Sequence, residues 1–429
     1  MSWRGRPVAA PGQPFKPPQT EETGTGDRNL KFSRGALVHR GFRSLCLAIL
    51  ATSFGFYIQR TIELWLIYEM TGSAFYLGLT GLVRGIPVFV LSPFGGVLAD
   101  RIDRRRFVIL VQAGNGIVNA AVAFLAITGR IEVWHIYFSG FMNASLNALG
   151  APARNAMVPG LVPRETLLNA LSFTAMSRKM SQLTGPVLTG LLIVWLGSGL
   201  TYAFNACVYF SAALLVAAIR YVSDVSGVRE SPFRSLMEGF AFVRRETAVW
   251  VSLAMELITV YIGSHRALLP IFVAALGAGA EGFGLLLSAA AGGSLLGVAM
   301  IMSLGDLRYK GVWVAFSLFI YSAALAVLAL SGWFLLAMAA VFLLGFFEAI
   351  QMVLCNAIVQ TTTPDRLRGR VLSFQRMMGV GGMSLGEAQS GFVAAFLGAP
   401  LTLIAAAAVC VGTTLGLLTF KREIRKADL

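Results

Sequence analysis

The chain has 429 residues, 56% of them hydrophobic and 13% charged, with a mean hydropathy of +0.71 and a formal net charge of +14. Soluble domains carry about 25% charged residues, so this composition excludes a soluble globular protein and predicts an all-α polytopic membrane protein. The charge does not call for nucleic acid. It falls between apolar runs, where the positive-inside rule and anionic headgroups place it, and no nucleic-acid module is present.

Residues 1–41 carry Pro7, Pro11, Pro14, Pro17 and Pro18 and lack an apolar signal core, so they read as a disordered cytoplasmic tail. Apolar runs then follow at 42–71, 74–99, 107–128 and 133–152, a proline-punctuated connection reaches Pro163, and two more runs occupy 167–196 and 199–221. These six form an N-terminal domain over 42–221. A polar linker at 222–246 contains an amphipathic stretch over 232–245 that could lie on a membrane surface. Runs at 247–274, 280–304, 311–331, 333–360, 370–397 and 400–420 make a C-terminal six-helix domain over 247–420, and 421–429 is a charged tail.

Charge orients the spans. The turns after odd-numbered spans hold a single basic residue, Arg130, whereas those after even-numbered spans hold Arg101, Arg104, Arg105, Arg106, Arg154, Arg164, Arg308, Lys310, Arg366 and Arg368. That asymmetry predicts a multi-pass inner-membrane protein with both termini in the cytoplasm. Cys46, Cys207, Cys355 and Cys410 lie far apart in apolar runs and read as reduced core residues, with no metal-ligand spacing and no disulfide expected.

The two halves repeat. A shift of 201 positions carries Asn155, Ala156 and Val158 onto Asn356, Ala357 and Val359. It also carries Pro163 onto Pro364, Leu171-Ser172-Phe173 onto Leu372-Ser373-Phe374, and Gly185 and Gly190 onto Gly386 and Gly391. Six spans, a linker and six spans in one orientation form a parallel repeat. A slightly larger shift sets Asp100 on Asp306, in a worn copy of the turn between the second and third spans.

That turn is the densest charge cluster in the first half: Gly95 and Gly96, then Asp100-Arg101-Ile102-Asp103-Arg104-Arg105-Arg106. The double glycine lets another backbone approach. A purely topogenic loop would need neither the glycines nor the acids. The stretch Gly96 to Arg105 resembles the Gly-x-x-x-Asp-Arg-x-Gly-Arg-Arg signature of the major facilitator superfamily, with Asp103 where most members have glycine. The aspartate variant, together with stretches beginning at Tyr68, Pro152 and Pro364, is similar to the branch of bacterial macrolide efflux proteins and the enterobactin exporter. The resemblance covers about 42–420. It implies alternating access around a cavity lined by the first, fourth, seventh and tenth spans. It also implies that Gly96, Asp100, Arg101, Arg104 and Arg105 form a gating latch against the start of the eleventh span, with Arg370 or Arg376 as partners.

Polar residues inside spans are costly and tend to be functional. The first span has Arg60 and Glu63, the fourth Asn143 and Asn147, the seventh Glu256, His265 and Arg266, and the tenth Glu348 and Gln351. These are the spans that the resemblance assigns to the cavity. Glu256 and Glu348 lack a local basic neighbour and are the candidate proton carriers. Bland alternatives stay open: Glu63 neutralising Arg60, His265 and Arg266 reaching headgroups, and the asparagines bonding between helices. Arg84 and Glu387, each about ten residues or ~15 Å from the outer end, are expected to pair across the second and eleventh spans. Arg178 and Lys179 face either the cavity or the cytosol.

The residues and the resemblance together predict a monomeric, non-enzymatic secondary transporter that moves a small amphiphile outward against protons. The proton gradient is its energy source, and no cofactor or metal is expected. The intramembrane excess of cations inclines the cargo towards an anion or zwitterion of siderophore-like or drug-like kind. Uptake of an anionic nutrient is the alternative, and a non-transporting sensor or scaffold the remote one.

Overall fold

The computed structural model describes residues 35–221, 232–305 and 309–420; the expectations for 1–34, 222–231, 306–308 and 421–429 lie outside the described residues. Among the described residues every element is helical. The first four spans are Arg40–Thr71, Ala74–Arg101, Arg104–Ile127 and Val133–Ala156. The fifth and sixth run as one helical stretch, Leu167–Ala217, bent at Gly197, whose φ of 77° suits only glycine. The seventh occupies Thr247–Ala275. The eighth to twelfth are Gly279–Leu304, Lys310–Ala329, Phe334–Thr362, Asp365–Leu397 and Ala399–Phe420.

Nine helical stretches among the described residues are long and apolar enough to cross a membrane. One of them bends at Gly197 into two spans. The fourth and eleventh, diluted by Asn143, Asn147, Arg366, Arg368, Arg370 and Glu387, complete a twelve-span bundle. One end of the bundle carries the arginine-rich turns and is called the basic end here. Turns at the far end are short and use left-handed Gly72, Gly129, Gly197, Gly277 and Gly398.

The repeat is visible in packing. The second span lies on the fourth as the eighth lies on the tenth, and the third on the sixth as the ninth on the twelfth. The halves meet where the second span contacts the eleventh and the fifth contacts the eighth. Both seams are built on glycine near the far end. A Cβ on Gly81 would lie 2.5 Å from the Ser384 carbonyl oxygen, and one on Gly190 would lie 2.6 Å from that of Ala280. Gly391 rests on Gly78, and Gly284 on the Pro186 carbonyl. The repeat-related glycines thus do related work: Gly190 and Gly391 cross between halves, while Gly185 and Gly386 seat the first and seventh spans.

At the basic end, only Ile102 and Asp103 separate the second and third helices. Asp103 caps the third, its carboxylate accepting from the Arg106 backbone N–H at 2.9 Å. Capping explains an acid where a glycine is commoner. Arg105 donates to the Ala217 carbonyl at 2.5 Å, and Arg104 reaches the Tyr221 hydroxyl at 3.4 Å, so both reach the sixth span and its end. Gly95 packs on Ala148 and Leu149 of the fourth span, but a Cβ on Gly96 would meet nothing within 4 Å. Close backbone approach therefore belongs to Gly95 alone in this arrangement. Arg370, a proposed latch partner, pairs with Glu238 of the linker helix Pro232–Arg245. The side chains of Asp100 and Arg376 lie outside the described residues. Cys207 is exposed on the bundle exterior, contrary to its expected core position.

Candidate functional site

The seventh span is not a regular helix. Thr247–Leu257 continues into a π-helical turn at Ile258–Ile262, the chain breaks at Gly263, Ser264 and His265, and a short turn Arg266–Leu268 leads into Leu269–Ala275. π-Turns and helix breaks free backbone groups and re-aim side chains, which is why they recur at functional sites. Here the break turns His265 outward from the cavity and Arg266 into it. His265 is buried, with Nδ1 3.3 Å from the Tyr321 hydroxyl of the ninth span. The π-turn is held from the tenth span: Thr259 donates to Gln351 Oε1 at 2.6 Å, and Gln351 Nε2 donates to the Met255 carbonyl at 3.0 Å.

Two adjoining cavities open inside the bundle, the central one between the halves and the second lined by residues of the C-terminal half. The central one, about 240 Å³, is walled by the first, fifth, seventh, eighth, tenth and eleventh spans. Phe56, Tyr57, Leu287 and Met352 give it apolar walls, and Arg60, Lys179, Arg266 and Glu348 supply its charges. The second, about 440 Å³, shares Glu348, Met352 and Met383 with the first and extends past Glu256, Gln351 and Gln375 to Gln360 and Leu372. Those last two residues lie near the basic ends of the tenth and eleventh spans. The combined space is therefore closed towards the far end by the glycine seams and continues towards the basic end.

Three ion pairs organise the charges. Arg266 binds both oxygens of Glu348, at 2.8 and 3.0 Å. Arg60 pairs with Glu387, tying the first span to the eleventh across the halves. Arg84 pairs with Glu63 at 2.5 Å, inside the N-terminal half. The expected Arg84–Glu387 pair is therefore replaced by two others. Depth along the helices is the same, but rotation about their axes turns Arg84 to the first span and leaves Glu387 for Arg60. Glu63 pairs with Arg84 rather than Arg60; it is fully buried, and its carboxylate lies where a side chain at Gly140 would begin. Glu348 has a basic partner after all, from the seventh span. Among the described residues Glu256 meets only an amide, accepting from Gln375 Nε2 at 2.8 Å.

Asn143 and Asn147 do not line either cavity. Asn143 accepts from Asn119, which accepts from Asn205, whose amide also reaches Gln59. Asn147 donates to the Asn143 carbonyl at 2.9 Å. This buried amide ladder ties the first, third, fourth and sixth spans together, and such bonds hold membrane helices in register. Gln112, Asn115 and Asn119, at helical spacing in the third span, were the overlooked sign of it. Of Arg178 and Lys179, the first reaches Asn155 at 2.5 Å and the second faces the central cavity.

Residues 33–429 match the family model for transmembrane secretion effectors. The enterobactin exporter EntS of Citrobacter koseri is 28% identical over 80% of this chain and 82% of its own. The enterobactin exporter EntS of an Escherichia coli strain is 27% identical over 80% and 81%. Among solved structures, a bacterial homologue of the human lysosomal transporter Spinster, inward-facing and unoccupied, superposes with a TM-score of 0.70 at 14% identity, covering 91% of this chain and 98% of that one. The nucleoside transporter NupG gives 0.67 at 13% identity, covering 88% and 100%. These superpositions show that the chain shares the fold of those two structures. This multi-pass membrane protein belongs to the transmembrane secretion effector family of the major facilitator superfamily.

Proposed function

We propose that the chain is a proton-coupled exporter of a small amphiphile, working by alternating access as a monomer in a bacterial inner membrane. Two six-helix domains, 42–221 and 247–420, rock about the central cavity, and the basic end faces the cytoplasm. Cargo enters from that end through the second cavity. The observation that carries the reading is the contrast between two acids in continuous space. Glu348 is neutralised by Arg266, whereas Glu256 has, among the described residues, only the neutral Gln375. A carboxylate with a neutral partner can hold a proton in one state and release it in the other, so Glu256 is the proton carrier and Glu348 holds the arginine that faces cargo. Export and a siderophore-like or drug-like cargo rest on the relatives named as enterobactin exporters.

The test uses the full chain in proteoliposomes with a pH-sensitive dye inside, an imposed proton gradient, and 1-naphthoate and 1-naphthylmethylammonium as cargo probes. Cargo-dependent proton movement is expected in the wild type. Glu256→Gln should abolish it while gradient-independent cargo exchange survives. Unchanged proton movement in Glu256→Gln ends this reading, whatever Glu348→Gln does.

A further inference from the structure

Lys179 lies 12 positions beyond Leu167, the start of the fifth span, or about 18 Å along the helix. Its ammonium lines the central cavity and donates to the Ser294 hydroxyl of the eighth span at 3.0 Å. The other two cations on that wall each have a carboxylate: Arg60 has Glu387, and Arg266 has Glu348. Among the described residues, none brings a carboxylate to Lys179 within ion-pair distance. The cavity wall thus carries two neutralised pairs and one cation left over.

A net charge in a low-dielectric cavity is costly unless it is compensated. One singly charged anion compensates this one; a cation or a neutral molecule does not. A lysine ammonium is a compact point charge with three donors, suited to one oxygen of a carboxylate, sulfonate or phosphate ester. Its bond to a neutral hydroxyl is longer than the ~2.7–2.9 Å of a charge-assisted bond to an anion. The remaining walls, Phe56, Tyr57, Leu287 and Met352, suit an aromatic or aliphatic body.

We infer that Lys179 is the anchor for the anionic head of the cargo, and that the site selects amphiphiles bearing a single negative charge. This rests on the reading of the central cavity as the cargo site. The Ser294 hydroxyl, now an acceptor, can rotate to donate to the same anion. A bound head group then joins the fifth span to the eighth, one from each half, on the side where the cavity is open.

The test is equilibrium binding to the purified full chain in detergent, without any gradient, by titration calorimetry. The probes are 1-naphthoate, 1-naphthamide and 1-naphthylmethylammonium, which differ in the charge of the head group. The wild type should favour naphthoate over both others at least tenfold. Lys179→Met, and Lys179→Gln should the first variant aggregate, should bring naphthoate and naphthamide within twofold of each other. Lys179→Arg should keep the preference, as should Arg178→Met, whose side chain points to Asn155. A wild type without the preference, a wild type that binds no probe, or a preference that survives both neutral variants overturns the inference. Since no gradient is used, probe binding without the preference, or with a preference that survives both neutral variants, leaves the proton-flux outcome for Glu256 standing, whereas a wild type that binds no probe removes both. Failure of the flux test likewise leaves the charge preference intact.

Discussion

The two ends of the interface between the halves are built from different materials. At the far end, backbone lies on backbone: Gly78 on Gly391, Gly81 on Ser384, Gly190 on Ala280, Gly284 on Pro186. One side-chain ion pair, Arg60–Glu387, crosses there. Towards the basic end, the cross-contact of Lys179 with Ser294 is made by the tip of a flexible side chain, and the cavity opens beside it. Backbone contact through glycine has no intermediate setting, because a methyl group either fits or does not. Side-chain contact can loosen by degrees. In the proposed alternating-access cycle the far end would then act as a latch with two states, and the basic end as a surface that adjusts to what it holds.

The largest expected effect breaks the latch. In Gly391→Val the new side chain falls on the Gly78 backbone, which has nowhere to go. Cargo-coupled transport in proteoliposomes should fall at least 100-fold, and a cysteine introduced at Ala388, buried in the far-end seam against Gly78 and Gly81, should become open to membrane-impermeant maleimide. Gly96→Ala is the matching control, since a Cβ there meets nothing within 4 Å. Its Tm should stay the same or rise, as the helix gains about 0.5–1 kcal/mol from losing a glycine. Equal loss of transport in a Gly391→Ser variant with no change in far-end accessibility would refute the two-state latch.

Next come the two buried pairs of the first span. Removing one partner of a buried pair costs about 3–5 kcal/mol because the survivor is left charged and dry. Arg84→Gln should pay this in full, since both members lie inside one half and the Glu63 side chain is 0% exposed. Arg60→Gln strands Glu387 at the seam instead, so part of the cost is relieved by opening the far end. Thermal melts should therefore drop more for Arg84→Gln than for Arg60→Gln, and the double variant Arg60→Gln with Glu387→Gln should recover most of the single loss. The reverse order of Tm values would put Arg60–Glu387, not Glu63–Arg84, in the static core.

Much of this was legible in the residues. Unbroken apolar runs fix where helices cross, and the offset of 201 placed Gly190 and Gly391 in contacts that prove equivalent. Partner choice was not legible. Arg84 and Glu387 sit at one depth on helices that touch, yet a span apolar all round has no polar face from which to read its rotation. Glu348 lacked a base in its own span, but Arg266 arrives from 82 positions away, aimed by a helix break that composition does not announce. Lys179 was ambiguous for the same reason: Arg178 and Lys179 are adjacent, so roughly 100° of helix rotation separates cavity from neighbour.

The smallest effect tests the adjustable end. The linker helix Pro232–Arg245 sits on the start of the eleventh span, with Gly239 against the Arg370 carbonyl and Phe240 against Phe374. Its ion pair, Glu238–Arg370, is 36% and 29% exposed. Pairs this wet contribute about 0–1 kcal/mol, and salt screens them over ~10 Å at 0.1 M and ~3 Å at 1 M. Glu238→Gln should then lower Tm only slightly, and the difference from wild type should vanish in about 1 M salt. Gly239→Leu should act differently: it pushes the helix off the eleventh span sterically, and no salt concentration restores it. If Glu238→Gln instead costs as much as Arg60→Gln and resists salt, the basic end is latched as rigidly as the far end. The contrast between the two ends would then be one of chemistry rather than of mechanical role.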